Sequence, residues 1–155
     1  MEFVQHSAQL QYGVDRFDGT RAWRTASTVI SADAGSYIAA TAFFAVTETA
    51  LRPDSVALSV FRLAERWSWL YGCESIALAD GVRLRPDLDP GLETEVLDAG
   101  QLCESVLLTW TPGQFRTLAL ARVREIRIGS IEMDLRPLTA GMRALLAELD
   151  SVPWK

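Results

Sequence analysis

The stretch Val123-Arg124-Glu125-Ile126-Arg127-Ile128-Gly129-Ser130-Ile131-Glu132-Met133-Asp134-Leu135 alternates apolar and charged residues on both sides of a Gly-Ser pair. Successive strand side chains point to opposite faces, so such alternation marks a strand with one buried face. A two-residue turn beginning with glycine joins two antiparallel strands. The turn sets 128 opposite 131 and 126 opposite 133, which gathers Ile126, Ile128, Ile131 and Met133 on one face. Arg127 and Glu132 then stand opposite each other on the other face, placed for a cross-strand ion pair. Turn chemistry and alternation agree on one register, and that agreement makes this hairpin the anchor of the fold.

Helices are expected on both sides of it. Upstream, Thr111-Pro112 is a helix start, since threonine caps free amides and proline fits the first helical position. Phe115, Leu118 and Ala119 give that helix its buried face. Downstream, residues 137–149 carry Leu138, Met142, Leu145, Leu146 and Leu149 at helical spacing. Before the tail, strands dominate. Residues 3–12, 20–30, 36–47 and 55–63 each read as one strand, with turn chemistry at Asp15 to Gly19 and at Arg52-Pro53-Asp54. Trp67 to Tyr71 reads as a further strand. Asp80-Gly81 between Ile76-Ala77-Leu78-Ala79 and Val82-Arg83-Leu84-Arg85 is a tight hairpin, its first arm deep and its second wet on one face. Residues 86–95, with two prolines and several acids, read as an exposed loop, and a strand returns over 101–110. The predicted class is α+β: an antiparallel sandwich or strongly bent sheet of about eight to ten strands, with two short C-terminal helices flanking a β-hairpin.

Composition bounds the rest. The 155 residues suffice for one domain with a substantial core, and 49% hydrophobic against 23% charged residues is an ordinary folded balance. The longest apolar run, Ile38 to Val46, is too short to cross a bilayer, so no membrane partner is expected. The start of the chain carries no basic segment followed by an apolar one, and a cytoplasmic location is expected. Net charge is −5. Residues 74–104 hold eight acids against two arginines, and 112–149 hold six arginines against four acids. Nucleic-acid binding needs a concentrated basic patch, and an excess of two charges is none. Alanine abundance, with arginine as nearly all the positive charge, points to a GC-rich bacterial coding sequence.

Asp15-Arg16-Phe17-Asp18-Gly19-Thr20, Trp69-Leu70-Tyr71 followed by Leu78-Ala79-Asp80-Gly81, Glu104 within its strand, and the tail from Pro112 through Ile128-Gly129 to the final leucines are spread over most of the chain. On them it resembles a group of bacterial β-rich domains to which no activity is attached. The resemblance implies architecture alone.

The candidate chemistry is sparse. There is no nucleophile elbow, phosphate-cradling glycine loop or dinucleotide fingerprint. His6 is the one histidine and reads as a surface or edge-strand residue. Cys73 and Cys103 are too few for a disulfide framework or an all-cysteine zinc site, and read as buried, reduced and structural. Asp15 and Asp18 read as turn aspartates, and the acids of the 87–98 segment as solvated. No catalytic residue, metal or cofactor is assigned. Glu104 shares a strand face with Val106, Leu108 and Trp110, where a carboxylate either serves a site or pairs with an arginine; pairing is expected. Trp67, Trp69 and Tyr71 alternate and so share one side of their strand. Packed inward they are core; facing outward they form a platform for sugars, small ligands or a partner surface. The leading expectation is a non-catalytic interaction or scaffold domain that binds a protein partner or self-associates. A small-ligand or carbohydrate-binding module using Trp67, Trp69 and Tyr71 is the alternative. A carboxylate enzyme pairing Glu104 with Asp80 or Asp15 comes last.

Overall fold

Thirteen strands, among the residues described, form two antiparallel sheets around a shared core, in the α+β class. The computed structural model describes residues 1–33, 36–50, 52–68, 70, 73–89 and 94–151. The larger sheet is built on three long neighbours: β5 (Ser36–Val46), β6 (Val56–Ala64) and β11 (Leu102–Trp110). Outward from β5 come β3 (Arg21–Thr25), β2 (Leu10–Val14) and β1 (Glu2–Gln5). Two short pairs share an edge end to end. β3 and β4 (Thr28–Asp33) both pair with β5, while β9 (Asp87–Asp89) and β10 (Thr94–Val96) both pair with β11. The smaller sheet runs β13 (Ile131–Asp134), β12 (Arg124–Ile128), β7 (Ser75–Ala79), β8 (Val82–Leu84).

The anchoring hairpin has the expected register, with Ile128 opposite Ile131 and Ile126 opposite Met133. Arg127 and Glu132 face each other across it, but their side chains do not close to an ion pair. Asp80 (φ 49°) and Gly81 (φ 82°) both adopt the left-handed backbone that the tight turn between β7 and β8 requires. α1 (Pro112–Leu120) starts on a complete capping box between Thr111 and Gln114, and α2 (Thr139–Ser151) closes the tail. Their apolar faces meet the inner face of the larger sheet, where Ile38, Phe44, Leu58, Val60, Leu108 and Trp110 lie. Burying those faces, rather than helix propensity, is what holds two such short helices.

Five local expectations are corrected. Residues 3–12 are a hairpin, not one strand: His6 and Ser7 both donate their amides to the Leu10 carbonyl and turn the chain from β1 into β2. Residues 20–30 are β3 and β4 with a break at Ala26-Ser27. There the Thr25 hydroxyl takes the place of a missing strand partner, accepting the Ala42 amide at 3.0 Å. Residues 86–95 contain β9 and part of β10, because the edge of β11 supplies backbone partners to a segment without strand-like alternation. Trp67 and Ser68 lie in no strand. The first arm of the Asp80-Gly81 hairpin is deep on one side only: Ala77 and Ala79 are buried, whereas Ile76 and Leu78 are half-buried on the outer side.

The tail is fastened by a buried cation. Arg124 is 1% exposed and donates to the Ala121 carbonyl at the end of α1 and to the Thr139 hydroxyl at the start of α2. Burial, then the nearby charge of Arg143, holds its guanidinium below the usual range. Among the described residues no helix is long and apolar enough to cross a membrane.

Candidate functional site

Glu104 sits on the inner face of β11 and is 2% exposed. A carboxylate there is costly to desolvate unless its oxygens are paired. Its cross-strand partner on β6 is Arg62, whose Nη1 lies 3.2 Å from Oε2. The Ser68 amide donates to Oε2 at 2.9 Å and the Leu70 amide to Oε1 at 3.1 Å. Arg62 Nη1 also donates to the Arg66 carbonyl at 2.9 Å. The pairing expected of Glu104 is therefore present, and it does more than neutralise a charge. It folds the segment after β6 back over the inner face and buries Leu70.

That segment is the aromatic stripe. Its amides at 68 and 70 bond to one carboxylate, which is why Trp67 and Ser68 are not drawn into a sheet ladder. Trp67 is half-buried; Trp69 and Tyr71 lie outside the described residues. Glu104 thus meets the chain segment of the stripe at the amides of Ser68 and Leu70.

The remaining polar candidates are engaged in holding backbone. Asp15 accepts the Phe17 amide and Asp18 the Thr20 amide, each at 2.8 Å. The Thr20 amide, then its hydroxyl, holds Asp18 below the ordinary carboxylate range. Asp80 accepts the Val123 amide at 2.8 Å and the Arg122 amide at 3.1 Å, and those two bonds lower its pKa in that order. Asp80, Asp15 and Glu104 serve three separate backbone segments, which gives the carboxylate-pair reading no support. His6 is exposed and bonds through Nε2 to Glu148 of α2 at 2.6 Å. Cys103 is buried as expected but Cys73 is only half-buried, and neither is in a disulfide. Among the described residues no three or more His, Cys, Asp or Glu side chains gather as a metal site.

Two surfaces remain. On the outer side of the smaller sheet, a groove of about 400 Å³ has Ile76 and Leu78 in its floor and Arg83, Arg127, Glu125 and Glu132 around it. The other is the outer face of the larger sheet. β5, β6 and β11 carry apolar residues on both sides, and the helices and smaller sheet pack on only one. On the outer side Phe43, Phe61, Leu63 and Leu107 are half-buried around Ala39, Ala57 and Cys103. Those three are buried yet lie outside the main core cluster, sheltered by neighbours on their own face. Towards β1 the face sinks into a hollow of about 320 Å³ between Phe3, Arg24, Phe43 and Ser59. Arg24 is fixed there, its Nε donating to Gln11 at 2.8 Å and its guanidinium 3.8 Å above the Phe3 ring.

Sequence reasoning did not single out this face. The signal was present in β6, where Ala57, Phe61 and Leu63 alternate with Val56, Leu58 and Val60. No family model matches the chain, and no curated protein and no solved structure matches it significantly.

Proposed function

We propose that this protein is a non-catalytic interaction domain that binds a protein partner through the outer face of its larger sheet. The observation carrying this reading is the cluster of half-buried Phe43, Phe61, Leu63 and Leu107 on the side of the larger sheet opposite the one that the helices and the smaller sheet cover. Contiguous apolar patches larger than a few hundred Å² are uncommon on soluble monomers and mark association sites. The reactive side chains point the same way, since Glu104, Asp15, Asp18 and Asp80 all hold backbone amides.

A photo-crosslinking residue placed at Ser59, in the middle of that face, tests the reading. Adducts to protein are expected at Ser59 and not at Val82, which is 52% exposed on the smaller sheet. Equal yields at both positions, or none at Ser59, would sink it.

A small-ligand module is a second reading, favoured by one observation. The groove beside Ile76 and Leu78, at about 400 Å³, falls in the size range of ligand clefts. Its lining of arginines and carboxylates suits a zwitterionic ligand rather than a sugar stacked on Trp67. Substituting Arg127 would abolish binding there and leave crosslinking at Ser59 untouched.

A further inference from the structure

We infer that the partner of the outer face is a second copy of this chain, related by a two-fold axis running along β6; the inference rests on the interaction reading above.

The argument comes from the sheet's register. One row of cross-strand neighbours on the outer face runs Arg24, Phe43, Ala57, Thr109, Asp87. Beyond Arg24 the row continues through Gln11 to Gln5, and within it a cation on β3 and an acid on β9 stand four strand spacings or about 19 Å apart. Midway between those two charges is Ala57, on β6. Sheets that stack face to face keep their strands roughly aligned, about 10 Å apart. A two-fold axis parallel to β6 satisfies that geometry and reverses the row in the second copy. Arg24 of each copy then faces Asp87 of the other, so the pairing is made twice.

Away from the axis the same operation matches large residues to small ones. Registers within the sheet set Thr41, Ser59 and Leu107 in one row, and Tyr37, Leu63 and Cys103 in another. Across the axis Leu107 stands over the partner's Thr41, at the border of the 320 Å³ hollow. Phe43 stands over the partner's Thr109 and Tyr37 over the partner's Cys103. Phe61 and Leu63, on β6 itself, meet their own copies on the axis. This is the self-complementarity an isologous interface demands.

The area is sufficient. Five strand positions about 4.8 Å apart, with about eight residues rising ~3.3 Å each, give a face of roughly 600 Å² per copy. Two such faces exceed the ~1,000 Å² total that a specific interface needs. Each chain carries a net charge of −5, so association works against mutual repulsion. The two Arg24–Asp87 pairs are what orient the copies despite it.

The test is sedimentation of the full chain over a wide concentration range, with charge variants. The parent is expected to reach the mass of two chains. Asp87 is exposed, so Asp87→Arg leaves the fold intact, sets like charges opposite each other twice, and weakens the dimer by about tenfold or more. Adding Arg24→Asp to that variant restores opposite charges and is expected to recover most of the loss. A parent that stays monomeric, an Asp87→Arg chain that dimerises as well as the parent, or a double variant that recovers nothing would each overturn the proposal. Crosslinking at Ser59 separates the two readings. A monomeric parent that still gives adducts there defeats the second copy and leaves the interaction reading standing, whereas no adduct defeats both.

Discussion

Arg124 and Thr139 are joined by a 2.7 Å hydrogen bond from guanidinium Nη1 to hydroxyl, made where the arginine is 1% exposed. The same guanidinium reaches the carbonyl of Ala121, so one side chain closes the end of α1 onto the start of α2. A cation beside the C-terminal end of a helix also opposes its dipole favourably. Arg124→Ala removes both bonds and leaves a cavity with an orphaned carbonyl, for a loss of about 3 kcal/mol. Thr139→Val is expected to cost about 1 kcal/mol. Urea denaturation of the two variants checks the order, and equal losses would show that the Ala121 bond contributes nothing.

Gly141 of α2 lies against Thr25. A Cβ at 141 would come within 2.9 Å of the threonine methyl, and Thr25 cannot retreat without surrendering the Ala42 amide it accepts. Alanine is the better helix former, yet Gly141→Ala is expected to destabilise by about 1–3 kcal/mol. Thr25→Ser deletes the methyl and keeps the hydroxyl. Thermal denaturation of the double variant is expected to recover part of the loss; a stabilised Gly141→Ala chain would contradict the close approach.

Removing Glu104 leaves Arg62, whose side chain is 14% exposed, without its carboxylate. Glu104→Ala is expected to cost about 3–5 kcal/mol, the penalty for breaking a buried pair from one side. The local signature is sharper than the global one. Hydrogen exchange should accelerate at the amides of Ser68 and Leu70, which lose their acceptor, while the amide of Ala42 across the sheet keeps its protection.

Acid should weaken the fold through exposed aspartates. Asp18, Asp80 and Asp134 all have folded pKa values below the ordinary 3.8. For Asp134 the cause is Arg136, whose side chain and then whose amide bond to it. A depressed folded pKa means the unfolded chain binds protons more readily. The stability these groups contribute is therefore complete above 3.8 and is lost as pH falls through the lowered values. Denaturation midpoints should fall over that window. Asp80→Asn should lower the midpoint at neutral pH and flatten its fall in acid; an unchanged profile would remove Asp80 from the account.

What was legible in the sequence was local. The β12–β13 register followed from a turn and an alternation that agree, and the start of α1 from a cap within four residues of chain. What was hidden depends on distant partners. Nothing in residues 20–30 announces the break at Ala26-Ser27, because it is made good by the Thr25 hydroxyl against β5. β9 is a strand because β11 offers it an edge. For Glu104 an arginine partner could be anticipated, but the two amides could not, since they belong to a segment whose alternation imitates a strand. The outer face shows the same limit. A strand apolar on both sides tells that both can be buried, not which one the chain itself covers.

The order of strands in the smaller sheet has a consequence for how the chain is made. β7 and β8 leave the ribosome well before β12, the strand that pairs with β7 and sets Ala77 opposite Ile126. Between them come β9, β10, β11 and α1. Until β12 emerges, a nascent chain carries a hairpin whose β7 edge has no partner. Contacts so distant in sequence form slowly, and an open strand edge can template pairing with other chains. For that interval the growing polypeptide carries an adhesive edge, and translation speed through residues 80–128 sets how long the exposure lasts.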